Sequence, residues 1–223
     1  MSTKAVKWSS VLLIISGLFL AVSILFHPDL VKPDYAHVGA WLPVHLLLGM
    51  SALVDLAGLI VFYGAMNLKT TWFGHVAFWS AIVGTVLMAG LMFFVEAAIV
   101  PVLASSPAYE PLLSTSGPLI TGVFGVMTVI TAVIMAVGFI LFGGYLIRSK
   151  IISPANGTLF IIGAPLVALS PPWPYALMII GGVLFGIALV WLGVSIRTGR
   201  AHVTLESTLR IQDECLAQAE VRA

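Results

Sequence analysis

The chain has 223 residues, of which 60% are hydrophobic and only 9% charged, with a net charge of +1 and a mean hydropathy of +1.12. Soluble domains are about one-quarter charged, so this composition excludes an ordinary water-soluble core and predicts an apolar surface that faces lipid. The near-neutral charge offers no basic face for nucleic acid, and a single cysteine, Cys215, rules out an internal disulfide or a Cys-rich metal motif.

A helix needs roughly 20 apolar residues to cross about 30 Å of hydrocarbon. Six stretches meet that need, at about 8–26, 41–66, 72–100, 119–147, 153–170 and 174–196. They predict an all-α polytopic membrane protein, a bundle of six transmembrane helices over 1–197 followed by a cytoplasmic tail, 198–223. The first stretch follows Lys4 and Lys7 as a signal peptide would, but it is longer than a usual h-region and no small-x-small site follows. It reads as a retained helix. The third and fourth stretches are about 43 Å long at 1.5 Å per residue, so they must tilt, bend or protrude.

Boundaries follow from local chemistry. Pro28 and Pro33 stop the first helix, Pro43 suits the first turn of the second, and Pro101 closes the third. Ser153-Pro154 is an N-cap and N1 pair for the fifth, and Pro165 kinks that helix. Ser170-Pro171-Pro172-Trp173-Pro174 forces a non-helical link into the sixth. The polar tail reads equally as a short helix or a disordered segment.

Charge sets the orientation. With the N-terminus inside, Lys4, Lys7, Lys69, Arg148, Lys150, Arg197, Arg200, Arg210 and Arg222 all fall on the cytoplasmic side, and Lys32 alone falls outside. The positive-inside rule then puts both termini in the cytoplasm, which suits a plasma membrane of the bacterial inner type. Trp8, Trp72 and Trp191 lie near the inner edge, and Trp41 and Trp173 near the outer one, as an aromatic belt would. Gly58-x3-Phe62-x-Gly64 and Gly138-x3-Phe142-x-Gly144 share a spacing, which either a hairpin repeat or ordinary Gly-rich helix packing explains.

Ionisable groups inside a bilayer are costly and mark function. Topology brings His27, His45 and Glu96 to similar depths beneath the outer face, beside Trp41, as an expected ligand-binding site. Two imidazoles and a carboxylate are also ligands for zinc, iron, copper or manganese, and two histidines alone could hold a haem. His37 reads as an outer-loop residue. Asp55 stands apart on the inner half, either as a proton-coupling group or as a neutral carboxyl bonded to Ser, Thr or a backbone carbonyl. The methionines read as gap fillers, and the loop 104–117 as a lid over the outer site.

These features leave three functional expectations. One is a binding or sensory membrane protein, or accessory subunit, whose outward pocket takes a small hydrophobic ligand, alone, as a homo-oligomer or in a larger membrane complex. Another is a metal- or haem-dependent membrane enzyme or redox protein using the same side chains. The last is a small transporter coupled to protons through Asp55.

Overall fold

The computed structural model describes residues 3–29, 35–66, 71–114, 116–169 and 174–201. Among them the chain is helical, with no strand. The principal helices are α1 (Thr3–Leu25), α2 (Trp41–Met66), α3 (Trp72–Ala104), α4 (Val123–Arg148), α5 (Pro154–Ala168) and α6 (Tyr175–Arg197). Five of them, all but α5, are long and apolar enough to cross a membrane by length and composition. Lys32, Pro33, Lys69, the link Ser170–Trp173 and the tail beyond Ala201 lie outside the described residues.

Each helix packs on its neighbours in sequence, and α6 returns to pack on α1, which closes a ring of six. Glycines set the seams. A Cβ on Gly17 of α1 would lie 2.5 Å from the Gly186 carbonyl oxygen of α6, and one on Gly84 of α3 would lie 2.6 Å from Cα of Met135 in α4. Only a bare Cα permits these backbone approaches.

Packed helix axes lie about 8–10 Å apart, so a ring of six leaves a central gap nearly wide enough for a seventh helix. At the end bearing Arg148 and Arg197, aromatic rings fill it. Phe78 meets Phe62 at 5.7 Å, Phe142 at 5.1 Å and Tyr145 at 5.9 Å between ring centroids, and Phe139 meets Phe185 at 4.6 Å. Phe62 and Phe142, the matched positions of the two Gly-x3-Phe segments, thus converge on one ring. The outer surface carries Phe94, Val102, Val123 and Val126 exposed, a distribution that would be a liability in water.

Several boundaries differ from expectation. Pro101 does not close α3. The helix changes to π geometry over Leu91–Ile99, where the Val100 N–H bonds the Val95 carbonyl, and continues to Ala104. The wider turn carries the chain through the proline. At the other end of this connection, 119–147 is not one helix. Pro118–Thr121 forms a separate turn, and α4 begins only after extended backbone at Gly122. The fifth helix has 15 residues, about 22 Å at 1.5 Å each, shorter than a typical span. Its predicted cap does form, with Ser153 accepting from the Asn156 N–H at 3.3 Å. α4 ends with Lys150 at φ 55°, its N–H on the Ile147 carbonyl and that of Ile151 on Leu146, a Schellman closure.

Tryptophans divide. Trp8 and Trp72 are 65% and 79% exposed, as belt positions would be, and Trp191 is also exposed. Trp41 is only 3% exposed, so its expected belt role is not what the fold gives it. It packs inward, for the reason described next.

Candidate functional site

The half of the ring away from the aromatic cluster holds a cavity of about 600 Å³ that is partly open to the exterior. All five residues singled out in the sequence, His27, Trp41, His45, Asp55 and Glu96, line it. His37 sits in a short 3-10 turn, exposed, and is not among the lining residues.

The end of the cavity far from the Phe78 cluster is a group of rings. His27 and His45 meet at 4.9 Å between centroids, His45 and Trp41 at 4.1 Å, and His27 and Trp41 at 6.1 Å. Backbone carbonyls hold both imidazoles. Nδ1 of His45 is 2.8 Å from the Trp41 carbonyl oxygen, one helical turn back, and Nδ1 of His27 is 2.8 Å from that of Pro28. A carbonyl can only accept, so Nδ1 carries the proton in each ring and Nε2 keeps its lone pair. The Tyr175 hydroxyl donates to the His27 carbonyl and ties this corner to α6.

Trp41 donates its indole N–H to the Glu96 backbone carbonyl at 2.7 Å. In the π register the donor to that carbonyl would come five residues on, at Pro101, which has no N–H. Trp41 supplies the missing bond. This demand turns the indole into the bundle, and Leu113 and Val100 bury it there. Leu113 comes from the connection after α3, and Leu119, just before α4, lines the cavity.

Asp55 lies ten residues beyond His45, about 15 Å along α2. It was expected to stand apart, yet the same cavity reaches it. Its carboxyl is 4% exposed. Oδ2 lies 3.5 Å from the Thr85 hydroxyl, whose better acceptor is the Ala81 carbonyl at 2.9 Å. Oδ1 has no hydrogen-bond partner among the described residues. Nearby, Ser51 donates to the Ser16 carbonyl at 2.9 Å and their hydroxyls lie 3.3 Å apart, pinning α2 to α1.

The metal and haem expectations meet this geometry unevenly. Among the described residues no three His, Cys, Asp or Glu side chains group as a metal site, so Glu96 does not complete a set with the two histidines. Axial nitrogens on opposite faces of a haem iron stand about 4 Å apart at metal–nitrogen distances of about 2 Å, with ring centres well beyond that. Centroids at 4.9 Å leave no room for a haem between the rings.

Some of the lining was not anticipated. Ser16, Ser51 and Thr85 line the cavity, and Met88, Met92, Met135 and Met178 border it, with Met135 and Met178 also buried in the core as gap fillers would be. The only sequence signal was the i,i+4 spacing of Met88 and Met92. His75 carries no signal in the sequence. Its Nδ1 lies 2.6 Å from the Tyr63 hydroxyl, away from the cavity, joining the end of α2 to the start of α3.

No protein-family model, curated protein or solved structure matches this chain.

Proposed function

We propose that this protein is an integral membrane binding or sensory protein that holds a small hydrophobic ligand inside its helix ring. The cavity carries this reading. Its volume of about 600 Å³ is that of a typical ligand site, and apolar walls with a few polar groups are the usual design of one. A void of that size costs packing energy, a cost that binding a ligand recovers.

In this reading all six helices cross the membrane, with both termini in the cytoplasm of a cell bounded by a plasma membrane. α5, the short one, is held between α4 and α6 and borders the ring without needing full bilayer length. The cavity then lies in the outer half, with the His27–Trp41–His45 cluster at its mouth. Support comes from the charge asymmetry of the sequence and from the basic last turns of α4 and α6, Arg148 and Arg197.

A neutral brominated amphiphile, ω-bromoundecanol, tests the binding role in protein reconstituted in lipid nanodiscs. We expect saturable quenching of tryptophan fluorescence that disappears in Trp41→Phe. Ala52→Phe, which fills the cavity between His45 and Asp55, should abolish it while the protein stays folded by size exclusion. Quenching that never saturates and is the same in Ala52→Phe would overturn the reading.

A further inference from the structure

The polar groups of the cavity are matched to one kind of ligand head. Asp55 is buried at mid-helix with Oδ1 unpartnered, and its contact with Thr85 is long because that hydroxyl is committed to Ala81. Ser16 and Ser51 are committed to each other and to backbone. At the mouth, the backbone bonds of His27 and His45 leave an Nε2 acceptor on each ring. The lining thus has acceptors to spare and few free donors. It contains two carboxyl residues, Asp55 and Glu96, and no Lys or Arg.

We infer that the cavity selects a lipophilic primary amine, whose ammonium group sits on Asp55 and whose hydrocarbon chain runs outward toward Trp41. This inference rests on the binding role proposed above and specifies its ligand class. An ammonium brings three donors and a positive charge, which answers both the orphaned oxygen and the acidic lining. A carboxylate or phosphate head would bring more acceptors into a low-dielectric space that already has acceptors to spare. A bare metal cation needs six or more oxygen ligands if it is of the hard, calcium-like kind, and the deep end offers one carboxyl with its hydroxyls already engaged. The chain direction follows from the geometry. Asp55 and His45 are about 15 Å apart along α2, and Met88, Met92 and Leu48 border the space.

Three probes of equal chain length test this in nanodiscs, with quenching of Trp41 as the readout: ω-bromoundecylamine, ω-bromoundecanol and ω-bromoundecanoate. The amine should bind at least about tenfold more tightly than the alcohol, a difference of about one hydrogen-bonded charge, and the carboxylate weakest. Asp55→Asn should erase the amine's advantage over the alcohol, and Glu96→Gln, at the other end of the lining, should reduce it less. Saturable binding of all three with equal affinity, or an amine preference that survives Asp55→Asn, would overturn the amine inference and leave the binding role standing. Saturable binding of none would remove both. Thermal unfolding of Asp55→Asn, measured alongside, separates loss of the site from loss of the fold.

Discussion

The indole N–H of Trp41 and the backbone carbonyl of Glu96 are joined at 2.7 Å, and the bond exists because Pro101 cannot supply a donor in the π register of α3. The relationship couples three features that look unrelated in the sequence. A proline inside a helix, a π stretch and a buried tryptophan at the mouth of the cavity form one device.

Trp41→Phe keeps an aromatic ring but leaves the Glu96 carbonyl without a donor. We expect a loss of about 1–3 kcal/mol, the cost of stranding a buried acceptor. In a Pro101→Ala background the new N–H can serve that carbonyl, so the same substitution should cost less. A double-mutant cycle on thermal unfolding measures the difference, and equal losses in both backgrounds would show that the proline plays no part.

The glycine seams make a sharper stability contrast. A side chain at Gly84 meets the backbone of Met135 at 2.6 Å, whereas nothing lies within 4 Å of a Cβ on Gly90. Gly84→Val should destabilise by about 1–3 kcal/mol or more, since backbone cannot step aside as a side chain can. Gly90→Ala should be neutral or stabilise by up to about 1 kcal/mol. Melting of the two variants under one set of conditions decides the point.

Acidification should loosen the mouth of the cavity through His27, which lies just past the end of α1. Burial lowers its imidazole below the ordinary value of 6.5, against the upward pull of its bond to the Pro28 carbonyl. The folded state therefore binds a proton less readily than the unfolded one. His27 costs nothing above about pH 6.5, and stability is lost as pH falls below that value toward the lowered one. His27→Gln should make the melting temperature fall less between about pH 7 and pH 5; an unchanged pH slope would contradict this.

The proposed orientation has a built-in reporter in Cys215, the chain's single thiol, which lies outside the described residues. In intact cells a membrane-impermeant maleimide should leave it unlabelled until the membrane is permeabilised. Labelling before permeabilisation would reverse the assignment of the C-terminus.

Much of the candidate site was legible before any fold was known. Polar residues are so rare in this chain that His27, His45, Asp55 and Glu96 were conspicuous, and counting helical rise from each boundary placed three of them at one depth. Asp55 was read as separate because rise along one helix measures depth and says nothing of an open space beside it. The sequence places Trp41 both in the aromatic belt and beside the expected ligand site, but composition cannot reveal that a carbonyl five residues before a proline, on another helix, takes its indole N–H.

The sequence by itself determined the helical class and the apolar character of the long helices, because hydrophobicity and helical rise are local quantities that a linear chain displays directly. Tertiary structure alone decided that the six helices close into a ring, that aromatic side chains fill one half of its centre, and that the other half stays open from the His27–His45 pair down to Asp55. The reason is geometric. Whether a gap between helices is filled depends on which side chains from all six arrive at the same height, and no single stretch of sequence carries that information.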